Sequence, residues 1–371
     1  MDSIYIKTKI FSGDNSLSSL SEIKNQRIWI VCDSFLVKNK SIYKVLKEID
    51  NSNEVNIFDE VVPDPTISVV GKGLAMFKKI NPDVVIAFGG GSAIDTAKGV
   101  LYFVKSDKQL NHAKLIAIPT TSGTGSEVSS ATVIRDTEEN TKYSIFDDSL
   151  LPDEAILDPE MTLTVPQAIT ANTGFDVFTH ALEAYVAKNA NSYSDALAEK
   201  AIELVIKNLL NCYFNGTEKN HRAAMQEAST LAGIAFNIAG LGISHSIAHQ
   251  LGGVFHIPHG LANAIALPWV IEFNSRNKAI QKKYAQIAYK VGMTEREEGE
   301  DFAVKVIIAY IKQLKQIMSM TNNLQQYGIS KEDFAVSKQS IIEKAMHDIC
   351  TVSNPVDVSE NDLEKLLDSL Y

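Results

Sequence analysis

Clustered cysteines, an excess of basic charge and long apolar runs are all missing from this sequence. Its three cysteines, Cys32, Cys212 and Cys350, stand far apart with no CxxC spacing, which excludes a zinc ribbon or a disulfide framework and fits a reducing cytoplasm. Basic residues number 35 against 45 acidic ones, for a formal net charge of −10. That balance leaves no electrostatic footprint for nucleic acid or for an anionic membrane. No run approaches the ~18 apolar residues of a membrane-spanning helix, and Met1-Asp2-Ser3-Ile4-Tyr5-Ile6-Lys7 lacks the basic and apolar regions of a signal peptide. Internal repeats and low-complexity tracts are absent as well. What is present is an average soluble composition, 45% hydrophobic and 22% charged, in 371 residues, enough for two domains of ordinary size. A small-molecule partner is the expectation.

Through about residue 160, short β-branched runs alternate with stretches of helical spacing, the pattern of a doubly wound, mostly parallel sheet. Residues 27–32 (RIWIVC), 84–88 (VVIAF), 115–118 (LIAI) and 155–157 are continuously apolar, as strands covered on both faces should be. Residues 4–11 alternate instead, which predicts an edge strand able to pair with another subunit. Beyond residue 164 the period becomes helical: Leu197, Ala201, Leu204 and Val205 share one face, as do Ile307, Ile311, Leu314 and Met318. Prolines between Asp158-Pro159 and Pro166 interrupt both periods. The sequence therefore predicts an α/β domain over residues 1–163 and an all-α domain over residues 164–371.

Two glycine-rich turns follow successive predicted strands. Gly89-Gly90-Gly91-Ser92-Ala93-Ile94-Asp95 opens a helical run, where backbone N–H groups and the helix N-terminus suit a pyrophosphate. It departs from G-x-G-x-x-G because Ile94 replaces the third glycine, and alone it fits a plain tight turn equally well. The second turn, Pro119-Thr120-Thr121-Ser122-Gly123-Thr124-Gly125-Ser126-Glu127, offers hydroxyl donors for phosphate and ribose, or else caps a helix with Ser126 and Glu127 in its first turn. Asp33 directly follows the 27–32 strand, where an isolated aspartate either forms a turn or accepts hydrogen bonds from an adenosine ribose and repels a 2′-phosphate. The ribose reading favours NAD over NADP.

The helical half carries the strongest chemical signal. Asp176 and His180 stand four apart on one helix face, His245 and His249 repeat the spacing, and His256 and His259 follow in FHIPHG. Five of the eight histidines thus fall in two short segments. Either segment alone reads as an ordinary helix surface, but burying so many imidazoles without a shared partner is costly. A carboxylate with imidazoles suits Fe²⁺ or Zn²⁺ without choosing between them. Residues 243–275 contain no Lys or Arg, and Phe255, Ile257, Leu261 and Trp269 are apolar. A phosphorylated or carboxylated substrate has no clamp there, whereas a neutral alcohol or aldehyde needs none.

With these residues in view, the chain resembles the iron-containing (group III) alcohol dehydrogenases over essentially its whole length, through GGGSAIDTAKG, IPTTSGTGSEVSSATVI, ITANTGFDVFTHALEAYV and HSIAHQLGGVFHIPHGLANAIALP. The resemblance implies a dinucleotide-binding N-terminal domain, an all-α metal-binding and substrate domain, NAD, and Fe²⁺ with Zn²⁺ as the alternative. It implies Asp176, His180, His245 and His259 as metal ligands and His249 as a catalytic proton relay. His256 falls outside the ligand pattern. Asp33, Gly90, Gly91, Ser92, Thr120, Thr121, Thr124, Val133 and Lys142 correspond to cofactor-contacting positions. Asp64 and Ala131 depart from the asparagines that some members carry there. The expected reaction is hydride transfer between NAD(H) and a short-chain aliphatic alcohol or aldehyde, 1-propanol and propanal first. The expected setting is a homodimer or larger homo-oligomer in the cytoplasm, free or among microcompartment components. A dehydroquinate-synthase-like lyase and a non-catalytic scaffold with a structural metal are the alternatives.

Overall fold

The computed structural model describes residues 4–105, 110, 112–138 and 141–371. The chain forms two compact units, Met1–Val165 with Asn215–Gly233, and Pro166–Phe214 with Ile234–Tyr371. In the first unit the strands are β1 (Lys9–Ser12), β2 (Arg27–Asp33), β3 (Glu54–Val61), β4 (Val84–Gly89), β5 (Lys114–Pro119), β6 (Ala131–Asp136), β7 (Thr141–Phe146) and β8 (Glu154–Leu157). Six of them make one parallel sheet in the order β1-β8-β5-β4-β2-β3, and β6 and β7 form a separate antiparallel pair. Helices α1 (Ser34–Lys38), α2 (Ile42–Leu46), α3 (Ile67–Ile80) and α4 (Gly91–Val104) connect the earlier strands.

The apolar runs behave as doubly covered strands. Trp29, Val31, Val85, Ala87, Leu115 and Ala117 pack into one core cluster, while Ile28, Ile30, Cys32, Val84, Ile86, Phe88, Ile116 and Ile118 pack into another. The two-residue period of a strand sends successive side chains to opposite faces, so both faces must be apolar. Edge strands escape this demand. Residues 4–11 gave an alternating signal, and the strand there is the short Lys9–Ser12 at one sheet edge beside β8.

Because β3 and β4 lie on opposite sides of β2, the connection reverses direction at β2 and β4. Ligands of open α/β sheets bind beyond the carboxyl ends of strands at such a reversal. Asp33 and Gly89 are the last residues of these two strands.

Farther along come α5 (Gln167–Val186), α6 (Ser192–Phe214), α7 (Lys219–Ala239), α8 (Ile243–Phe255), α9 (His259–Asn274), α10 (Lys278–Lys290), α11 (Glu300–Ile317), α12 (Leu324–Tyr327), α13 (Lys331–Met346), α14 (Ile349–Ser353) and α15 (Glu360–Leu370). Ile307, Ile311, Leu314 and Met318 are all buried. On α6 the buried stripe is Ala198, Ala201, Ile202, Val205, Leu209 and Cys212. The predicted face is therefore rotated, leaving Leu197 and Leu204 half-buried at its margin. Ile257 and Leu261 belong to a core cluster that α8 and α9 share with α13 and α15, and Phe255 and Trp269 pack against it. No single helix among the described residues is long and apolar enough to cross a membrane.

Candidate metal centre and cofactor loops

Asp176 and His180 occupy successive turns of α5, and both are buried. His245 lies in the first turn of α8. That helix ends at His256, which adopts the left-handed conformation with φ 56° and faces solvent. Pro258 follows, and His259 begins α9. The sharp break between the two helices, fixed by His256 and Pro258, returns His259 toward His245.

Ligand-type atoms of Asp176, His180, His245 and His259 lie within 4.8 Å of one another. His259 Nε2 is 3.3 Å and His245 Nε2 3.8 Å from Asp176 Oδ1. The His180 and His245 rings stack with centroids 4.5 Å apart. Burial pushes the Asp176 carboxyl up to about 8, against the downward pull of the Asn263 amide, which donates to Oδ1 at 3.0 Å. Burial also holds His245 well below the usual imidazole range. Both shifts disfavour charge in a dry site, and a cation among the donors reverses the carboxyl's preference. Three imidazoles and one carboxylate fit a divalent ion of the Fe²⁺ or Zn²⁺ kind.

His249 stands one turn beyond His245 and stacks on His259 at 5.4 Å. Its Nδ1 is 2.8 Å from Asp348 Oδ2. Asp348 also caps α14 and is held below the usual carboxylate range: burial opposes this, but the His249 and Cys350 hydrogen bonds prevail.

In the first unit the two glycine-rich turns come together. A Cβ on Gly91 would stand 2.6 Å from Thr124 Cγ2, and one on Gly90 would stand 3.2 Å from Thr121 Oγ1. Gly90 caps α4 with no side-chain hydrogen bond, while Ala93 N–H donates back to Gly90 C=O at 3.0 Å. Thr120 N–H donates to Gly89 C=O at 2.9 Å, tying the turns at their roots. Asp33 Oδ1 caps α1 by accepting from Leu36 N–H, while Oδ2 lies 3.9 Å from the position of a Gly89 Cβ. Both readings of Asp33 are thus compatible with one side chain. No helix follows the second turn, which leads into β6.

Val133 and Lys142 lie on the hairpin strands. Val133 N–H donates to Asp95 Oδ2 at 3.2 Å, and Lys142 Nζ pairs with Asp64 Oδ1 at 2.8 Å. The Asp64 departure is therefore answered by a salt bridge. Ala131 C=O accepts from the buried Lys98, whose Nζ also donates to Ser126 Oγ and Ser129 C=O. Burial lowers Lys98 to about 8, and its three protons clamp the second turn onto α4.

Sequence reasoning missed Lys98, Glu183, Asn263 and Asp348. Glu183 follows His180 by three positions on α5 and touches His245 Nδ1 at 2.6 Å. Burial pushes its carboxyl up to about 7, against the pull of the Ser244, Gly242 and His245 backbone N–H groups. Its place within the THALEAY block was the available signal.

Residues 7–159 match the family described as iron-containing alcohol dehydrogenase, and residues 170–371 match the C-terminal part of the Fe-containing alcohol dehydrogenase family. The chain belongs to the iron-containing alcohol dehydrogenases. It is 43% identical over 370 residues to a 1-propanol dehydrogenase of Citrobacter freundii, covering 100% of each chain. It is 37% identical to an NADPH-dependent butanol dehydrogenase of Clostridium saccharobutylicum, covering 98% of this chain and 96% of that one. The structure of a sulfoacetaldehyde reductase from Bifidobacterium kashiwanohense in complex with NAD⁺ superposes with a TM-score of 0.87 at 25% identity, covering 100% of this chain and 98% of the other. As an iron-containing alcohol dehydrogenase, the protein is an oxidoreductase with an α/β N-terminal part and a helical C-terminal part.

Proposed function

We propose that this alcohol dehydrogenase interconverts 1-propanol and propanal, or close short-chain homologues, with NAD(H). The observation that carries the reading is the cluster of buried Asp176, His180 and His245 with half-buried His259, in a chain that aligns end to end with a 1-propanol dehydrogenase. In this reading residues 1–163 bind the dinucleotide, and residues 164–371 hold the metal and the substrate. Bound in these places, an Fe²⁺ or Zn²⁺ ion supplies a Lewis acid for the substrate oxygen, and the nicotinamide supplies or accepts the hydride.

The chain's own groups do the rest. Gly90, Gly91 and Ser92 offer amides to the pyrophosphate, with Thr120, Thr121 and Thr124 alongside. Val133 and Lys142 complete the nucleotide wall. His249 gives a proton to the substrate oxygen during aldehyde reduction and takes one during alcohol oxidation, with Asp348 orienting its ring through Nδ1. The absence of Lys and Arg across residues 243–275 leaves the substrate without an anion clamp, in keeping with a neutral alcohol.

Asp33 supports NAD because its carboxylate suits ribose hydroxyls and repels a 2′-phosphate. Since a relative at 37% identity is named for NADPH, cofactor choice is the point to test. Initial rates with acetaldehyde, propanal and butanal, each with NADH and NADPH under anaerobic conditions with Fe²⁺, should give the highest kcat/KM for propanal with NADH. Asp33→Ser should erode the preference for NADH by about tenfold or more, or roughly 1.4 kcal/mol. A wild-type preference for NADPH, or for butanal, contradicts the finer assignment.

The loops give a separate prediction. Gly91→Val puts a branched side chain where even a Cβ meets Thr124 at 2.6 Å. NADH affinity, followed by fluorescence titration, should fall about tenfold or more while metal content stays at the wild-type level. Unchanged affinity would remove the pyrophosphate role from this turn.

A further inference from the structure

Glu183 is 2% exposed, and both its carboxylate oxygens are engaged. Oε1 accepts from Ser244 N–H at 2.7 Å, while Oε2 accepts from Gly242 N–H at 3.0 Å and lies 2.6 Å from His245 Nδ1. The two backbone donors sit at the start of α8, whose N-cap is Gly242, a residue with no side chain to satisfy them. A Cβ on Gly242 would stand 2.7 Å from Glu183 Oε1 and 2.8 Å from Asn354 Oδ1, so any larger residue there must displace those side chains. A carboxylate carried by α5 is thus seated in the N-terminus of α8, where the helix dipole favours it.

When Glu183 is ionised its oxygens can only accept, and the contact at 2.6 Å then places the His245 proton on Nδ1. The lone pair is then on Nε2. That nitrogen faces Asp176 Oδ1 at 3.8 Å and Asn263 Nδ2 at 3.2 Å. We propose that Glu183 is a positioning residue of the metal centre: by binding the α8 amides and His245 Nδ1 with one carboxylate, it fixes both the ring orientation and the tautomer that present Nε2 to the ion. The inference rests on the metal reading given above and is separable from it. A role confined to capping α8 would leave the histidine's tautomer free.

Glu183→Gln separates the two roles. Glutamine keeps the size of the side chain but has one acceptor oxygen and an NH₂ group that donates, so it cannot accept from all three N–H groups at once. In metal-free wild type labelled with ¹⁵N-histidine, one imidazole should be protonated at Nδ1 and bare at Nε2, with its signals missing from His245→Gln. In Glu183→Gln that signal pattern should shift toward protonation at Nε2. Affinity for Zn²⁺, measured by chelator competition, should fall about 10- to 100-fold, while circular dichroism shows the fold retained. An Nε2-protonated His245 in the wild type overturns the proposal, and this result does not depend on the variant folding. So does wild-type Zn²⁺ affinity in Glu183→Gln. A wild type that binds neither Zn²⁺ nor Fe²⁺ defeats the metal reading and this inference together.

Discussion

His259→Ala is expected to lower propanal-dependent NADH oxidation by about three orders of magnitude without unfolding the protein. His259 supplies one of the four donors, and its side chain is 36% exposed, at the first position of α9. Truncating a partly exposed residue at a helix start leaves no sealed cavity, so the melting temperature should move by only a few degrees. The chemistry loses far more. An ion that polarises the substrate oxygen contributes several kcal/mol to the barrier, and about 4 kcal/mol corresponds to a thousandfold in rate. Atomic absorption should find less than one metal ion per chain in the variant. Full activity with normal metal content would remove His259 from the proposed ligand set.

Gly260→Ala should be the most damaging single-atom addition in the helical unit. A Cβ there would lie 1.9 Å from Asn172 C=O oxygen and 2.6 Å from its carbonyl carbon. Both belong to the backbone of α5, which cannot swing aside as a side chain does. The start of α9 must therefore back away from α5. Overpacking of this kind costs about 3 kcal/mol, which lowers the melting temperature by on the order of 10 °C. The damage is also directional. His259 is the neighbouring residue, so moving α9 outward takes its Nε2 from the 3.3 Å approach to Asp176 on α5. Metal affinity should fall along with stability, and a Gly260→Ala protein with wild-type melting and metal content would contradict this packing account.

The sheet was legible wherever a strand is covered on both faces, because an unbroken apolar run has little else to become. β3 was not. Its sequence, EVNIFDEV, places Asn56, Asp59 and Glu60 among its apolar residues, and as an edge strand it is largely half-buried or exposed. The β6–β7 pair was hidden for a related reason: Arg135, Asp136, Thr141 and Lys142 give its outer end a polar cast. On α6 the helical period was visible, but small residues decide its burial. Ala198 and Ala201 lie inward while Leu197 and Leu204 sit at the margin, an inversion of what hydrophobicity alone suggests.

The candidate site shows the same division. Asp176 with His180, and His245 with His249, announce themselves by helical spacing. Their supporting residues do not. Asn263 is 87 positions from Asp176, and Asp348 is 99 positions from His249. Those pairings exist only through tertiary contact. Lys98 reads as a solvated helix lysine and is instead fully buried against the second turn. Glu183 was near enough to read but resembles any helical glutamate until α8 docks its N-terminus against it.

The four-donor cluster is expected to hold a divalent ion on which alcohol–aldehyde redox chemistry depends. Stripping the purified protein with a chelator and titrating it anaerobically with Fe²⁺ or Zn²⁺ tests that dependence. NADH absorbance in the presence of propanal would be followed throughout. Activity should be lost on stripping and return in proportion to added metal, saturating at one ion per chain. Undiminished NADH oxidation by metal-free protein, or no turnover of any short aldehyde despite bound metal and NADH, would contradict it.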